Sequence, residues 1–225
     1  MSKIPRNITS FRIPRGQLED RINLNVNSAK KKYRTIVPLR NIVEATEIVL
    51  MREELLKTLI RSVPIKDTDN KPYENSQIDL YRIQPRGLHV GQTFVYQGKI
   101  NTILSNLGLR FRGYSNLGVS EMMPSVVFGR DNEGEKVLAL YVPPIIEHHK
   151  EGPILLDGLH RCFLCETVGA STLAIHIINP SEDIPFDPIR WEKIQYVKDK
   201  PEQTKWYNNL KKELFRDLNY VAIDG

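Results

Sequence analysis

Pro153-Ile154-Leu155-Leu156-Asp157-Gly158-Leu159-His160-Arg161, running on through Cys162 to Val168 and Gly169, decides how the rest of the chain is read. Four consecutive apolar residues before Asp157-Gly158 predict a short buried strand that ends in a tight turn. Leu159 to Val168 then reads as a helix with Gly169 at its C-cap, and Ser171 to Ile178 as a second strand. Leu159, Cys162 and Phe163 share one helix face and Leu164, Cys165 and Val168 another, so most of the circumference is expected to be buried.

A glycine followed by His-Arg at a first helical turn favours an anion for three reasons. The unpaired backbone N–H groups point outward, the helix dipole is positive there, and Gly158 allows close backbone approach. Arg161 adds a fork matched to phosphate oxygens, and His160 a donor that responds near neutral pH. Asp157 has two readings, as the helix cap or as a ligand to Mg²⁺ beside bound phosphates. His160 has a rival reading as a core histidine bonded to a nearby carbonyl.

Working outward, Ile78 to Ile83 alternates like a strand, and Ile100 to Leu107 suits a short helix ending at Gly108. Ser125 to Phe128 and Val137 to Val142 read as a hairpin around Asp131-Asn132-Glu133-Gly134. Towards the N-terminus, Ile42, Ala45, Val49, Leu56, Leu59, Ile60 and Val63 fall at helical spacing, predicting one helix over Asn41–Val63 closed by Pro64. Lys66 to Pro72 concentrates turn formers, and its aspartates lack the Gly and distal Glu of a calcium loop. At the other end, Asp187-Pro188 opens one predicted helix. Trp206, Leu210, Leu214 and Leu218 at four-residue intervals predict another, closing over the main domain or forming a homodimer contact. Base stacking is the alternative for Trp191 and Trp206. Three segments follow: a basic arm with a helical extension over 1–70, the main domain over 71–180, and a helical region over 181–225.

The formal charge of +5 is unevenly placed, since residues 1–40 carry ten Lys/Arg against two acids. Lys30, Lys31, Lys32, Arg34 and Arg40 make that arm a candidate for DNA or RNA phosphates, or simply a solvated tail. No apolar run is long enough to span a bilayer, and Met1 to Pro5 has no secretory character, so a cytoplasmic protein with no membrane partner is expected. The two cysteines, Cys162 and Cys165, read as apolar fillers of a buried helix rather than as a zinc or redox pair. His148-His149 beside Glu147 is set aside as a metal site because adjacent residues point apart.

With these stations in place, the chain resembles the ParB/sulfiredoxin superfamily over about residues 78–178. The resemblance rests on Ile78 to Arg86 with Gln84-Pro85-Arg86, Ile103 to Gly108, Pro124 to Val127, and Ile154 to Arg161, with a long insert over Leu109–Met123. It implies an α+β fold, a mixed sheet with helices, extended by helical N-terminal and C-terminal segments. Leu159 stands where sulfiredoxins carry a nucleophilic cysteine, which disfavours sulfur chemistry. The segment after residue 178 is short for the DNA-binding domain of partition proteins. The Asp-Gly-x-His-Arg group, similar to ParB-like free-serine kinases and ATPases, implies nucleotide binding with phosphoryl transfer or hydrolysis. DNA-modification regulators with a related motif form a second group. On this resemblance Gly158, Leu159, His160, Arg161 and Arg86 hold an ATP-like nucleotide with Mg²⁺ at Asp157. Catalytic candidates are His160, Asp157 and a carboxylate such as Glu147, with Glu151 and Glu121 as further acids. The alternative is a DNA- or RNA-binding regulatory module using residues 1–40.

Overall fold

The computed structural model describes residues 11–110 and 119–224. Their architecture is α+β, with two mixed sheets, a two-stranded pair and four α-helices. The first sheet contains β1 (Ile13–Pro14), β2 (Thr35–Ile36), β3 (Glu44–Leu50), β7 (Ser125–Arg130) and β8 (Lys136–Tyr141), in the order β1-β2-β8-β7-β3. The second contains β4 (Gln77–Ile83), β5 (His89–Val90), β9 (Ile145–His149), β10 (Gly152–Asp157), β11 (Thr172–Ile178) and β12 (Ile189–Arg190), in the order β12-β5-β10-β9-β11-β4. β6 (Phe94–Tyr96) pairs in parallel with β13 (Gln195–Val197). The helices are α1 (Arg15–Ile22), α2 (Glu53–Arg61), α3 (Gln97–Arg110) and α4 (Leu159–Thr167).

The strand–turn–helix–strand unit forms as expected, as β10, α4 and β11. β10 is central because it pairs antiparallel with β9 and parallel with β5, which suits its continuous apolar run. Alternation along the strands divides the second sheet between two cores. Ile145, Ile175 and Ile177 face the larger core, whereas Ile146, Leu155 and Ala174 pack under Ile100 of α3 and Leu159 and Cys162 of α4. Both cysteines are free and buried. The expected hairpin is β7–β8, whose turn is held by Asp131 Oδ1 accepting from the Glu133 and Glu135 amides. The helix expected from Ile100 starts earlier, at Gln97, and runs through Gly108 to Arg110. Residues 111–118 of the insert lie outside the described residues.

Three expectations are corrected. The stretch 41–63 is a strand and then a helix. β3 pairs antiparallel with β7, and α2 begins only at Glu53, burying Leu55, Leu56, Leu59 and Ile60. Thr46, Ile48 and Val49 are β-branched and meet Phe128, Val127 and Val126 across the ladder, a non-local pairing that the helical spacing concealed. The C-terminal segment holds no α-helix among the described residues, only β12, β13 and isolated 3-10 turns. Pro185, Pro188 and Pro201 interrupt it, and Asn209, at φ 47°, breaks the backbone between Trp206 and Leu210. The turn at 66–72 does not separate an extension from the main body. β2 and β3 complete the sheet of β7 and β8, and one core contains Leu18, Leu59, Phe128, Ile175 and Ile223.

The basic arm is likewise folded from residue 11 onward. Arg15 is buried, with Nε donating to Glu19 (2.8 Å) and guanidinium N–H groups donating to the Lys30 carbonyl (3.1 Å) and Asn25 Oδ1 (3.0 Å). Lys30 pairs with Glu47 at 2.5 Å, and Lys32 lies over the Tyr33 ring. Lys31 and Arg34 border a shallow open hollow beside Glu19. No helix among the described residues is long and apolar enough to cross a membrane.

Candidate functional site

Gly158 is the hinge on which the site is built. Its φ of +93° is open to glycine but strained for other residues, and a Cβ there would fall 2.8–2.9 Å from atoms of Pro144. The chain thus turns sharply from β10 into α4, and Gly158 to Arg161 at the start of α4 line a cleft of about 440 Å³. The start of α3, at Gly98 and Lys99, borders the same cleft.

The charged residues of the motif hold one another. Asp157 does not cap α4; its Oδ2 accepts from Arg161 Nη2 at 2.8 Å, while Arg161 Nη1 donates to the Val142 carbonyl at 2.5 Å. Burial opposes the charge on Arg161, yet neighbouring Asp157 holds its pKa above the ordinary range. His160 is buried, and its Nε2 accepts the Tyr96 N–H at 3.3 Å. Burial, with Lys99 nearby, pushes His160 down to about 4. It is therefore a neutral acceptor that ties the start of α4 to the residue before α3, and not a cationic phosphate donor. Its rival reading as a core histidine holds in substance, with a backbone amide in place of a carbonyl.

Two other expected residues lie elsewhere. Glu147 is fully buried, with Oε1 and Oε2 accepting from Arg216 at 3.0 Å, Tyr73 donating to Oε1, and His149 Nε2 at 2.7 Å from Oε2. Burial would raise its carboxyl, but His149, Arg216 and Tyr73 together hold it below the usual range. It is a structural ion pair outside the cleft lining. Arg86 pairs with Glu166 in the last turn of α4, at the end remote from Gly158. Glu121 pairs with Arg82, and Glu151 is exposed in a turn. His148 and His149 do point apart: His148 Nε2 meets His176 Nδ1 at 2.9 Å, while His149 meets Glu147. Trp191 is buried in the core beneath α4.

Residues that the sequence did not single out for this site complete the cleft. Lys99, Arg40 and Lys200 line it beside Arg161, with Asp224 as a second carboxylate. Lys99 makes no hydrogen bond or ion pair among the described residues. Burial lowers its pKa, and the charges of Asp224 and Asp157 only partly offset this. Phe94, Tyr96, Tyr141 and Trp206 supply aromatic wall, with Trp206 held by its indole N–H to the Pro201 carbonyl (3.0 Å) and by Lys200 over its ring. Apolar and aromatic walls around a few convergent charges, at this volume, are the usual form of a small-molecule site.

The donor set does not form a resident metal centre. Asp157 is held by Arg161, and no group of three or more His, Cys, Asp or Glu is gathered among the described residues. Comparison with family models, curated proteins and solved structures finds no match to this chain.

Proposed function

We propose that this is a nucleotide-binding protein with a ParB/sulfiredoxin-like core, whose cleft between α3 and α4 takes the phosphates of an ATP-like ligand. The observation that carries the reading is the convergence of two helix starts with Lys99, Arg40, Arg161 and Lys200 on one aromatic-walled cleft. Helix N-termini and cations both favour phosphate, and an aromatic face favours a base. The β10–α4–β11 unit with its Gly158-x-x-Arg161 turn supports the family likeness. The division of labour differs from the one the motif implied: Asp157, His160 and Arg161 fix the floor, and Lys99 and Arg40 face the ligand. Phosphoryl transfer or hydrolysis extends this reading, since such chemistry depends mainly on positioning and charge neutralisation. Asp157 is engaged by Arg161 and does not stand open as a Mg²⁺ ligand. Residues 1–40 favour a nucleic-acid reading less, because Arg15 and Lys30 are paired within the fold and Lys32 lies over the Tyr33 ring.

Thermal denaturation with ATP, CTP, pyrophosphate and adenosine tests the proposal. Stabilisation by the phosphate-bearing ligands, absent with adenosine and weakened by added salt, is expected. Equal shifts with adenosine and ATP, or none with any of the four, would overturn it.

A further inference from the structure

Asp224 reaches the cleft from the far end of the described chain, and its surroundings give it a function of its own. Its carboxylate accepts from Arg40 Nη1 through both oxygens, Oδ2 at 2.6 Å, and its negative charge also acts on Lys99. The backbone beneath it is fixed, since Ile223 is buried, bridges Leu140 of β8 and donates its N–H to the Leu218 carbonyl at 3.0 Å. A phosphate approaching Arg40 and Lys99 meets an anion already in contact with one of them.

We propose that Asp224 is an internal anion that holds Arg40 until a phosphate group displaces it, so that only a group bringing more negative charge than one carboxylate profits from the exchange. The inference rests on the nucleotide reading of the same cleft. A singly charged carboxylate or sulfonate brings Arg40 no more charge than Asp224 already does, so it gains little by exchange. A dianionic phosphate brings more charge and can also engage Lys99, so the exchange favours it. Nothing covalent changes; one ion pair is traded for another.

Calorimetric titration of pyrophosphate, ATP and acetate into the wild-type protein, Asp224→Asn and Asp224→Ser at one ionic strength tests this. Both variants are expected to bind pyrophosphate about tenfold more tightly than wild type. Acetate, which has to displace the same carboxylate, should gain no more than pyrophosphate does, so the preference for pyrophosphate persists in both variants. Equal or weaker pyrophosphate binding in the folded variants overturns the exchange and makes Asp224 a support for Arg40 or a partner for ligand hydroxyls. Should neither variant fold, the wild-type protein still decides. The carboxyl carbon resonance of Asp224 must move when pyrophosphate saturates the cleft, and an unmoved resonance refutes the exchange. Failure of every form to bind pyrophosphate or ATP would instead remove the nucleotide reading.

Discussion

Replacing Lys99 by Met separates a ligand-binding cation from a structural one, because the two roles predict opposite changes in stability. Lys99 is partly buried at the start of α3, has no hydrogen-bond or ion-pair partner among the described residues, and has its pKa lowered chiefly by burial. A depressed lysine pKa means that the fold disfavours the charged form relative to the unfolded chain. Methionine keeps the unbranched stem and removes the charge, so Lys99→Met should stabilise the ligand-free protein by about 0.5–1 kcal/mol. The same change should remove a charge-assisted contact to phosphate of ~1.5–3 kcal/mol, which weakens ATP or pyrophosphate binding by about 10- to 150-fold. Urea denaturation without ligand and calorimetric titration with ligand measure the two effects, and Lys99→Arg should retain most of the binding. A variant that is less stable and binds ATP as wild type does would show that Lys99 supports the fold and that the phosphates lie elsewhere.

Three further predictions concern the frame around the cleft. Gly158→Ala forces a side chain onto φ +93° and against Pro144, and should cost about 2–5 kcal/mol in chemical denaturation, from left-handed strain plus overpacking. An unchanged urea midpoint would refute the close approach. Glu147→Gln leaves Arg216 buried without a counter-charge and should destabilise by about 3–5 kcal/mol, whereas a catalytic Glu147 would give a stable, inactive protein. His160 and His176, each held to about 4 against an ordinary 6.5, bind protons in the unfolded chain before the folded one, so stability should fall as pH drops from 6.5 towards 4. His160→Gln should remove its share of that slope, up to about 3 kcal/mol, and a slope identical to wild type would place the titration elsewhere.

The parts of the fold legible in the sequence are those set by local rules. Ile154 to Leu156 is a short apolar run between turn formers, Gly158 and Gly169 punctuate α4, and the Asp131 turn fixes the β7–β8 hairpin. What was misread depends on distant partners. The spacing of Ile42, Ala45 and Val49 fits a helix equally well, and only the presence of β7 alongside makes Glu44–Leu50 a strand. Trp206, Leu210, Leu214 and Leu218 keep a helical interval, but Asn209 adopts a left-handed conformation and the segment wraps the body in single turns. Periodicity reports which side of a segment is apolar; it does not report whether a neighbouring strand competes for the backbone.

The site shows the same limit in chemical terms. The position of the cleft followed from Asp157-Gly158-Leu159-His160-Arg161, because a turn into a helix start is a local event. The assignment of its charges to a ligand did not, because an isolated motif cannot show where its own hydrogen bonds go. Arg161 is held by Asp157 and the Val142 carbonyl, and His160 by the Tyr96 amide, so removing Arg161 tests folding as much as binding. The groups that face the cleft come from positions 40, 99, 200 and 224, which no spacing rule connects. Among these cations Lys99 makes no hydrogen bond or close ion pair among the described residues and feels Asp224 and Asp157 only through their charge, whereas Arg40 is held by Asp224. On the proposed nucleotide reading, a phosphate would gain most at Lys99, and at Arg40 only what remains after displacing a carboxylate. For this reason substitutions at Lys99 and Asp224 should shift affinity in opposite directions while the Asp157–Arg161 floor stays intact.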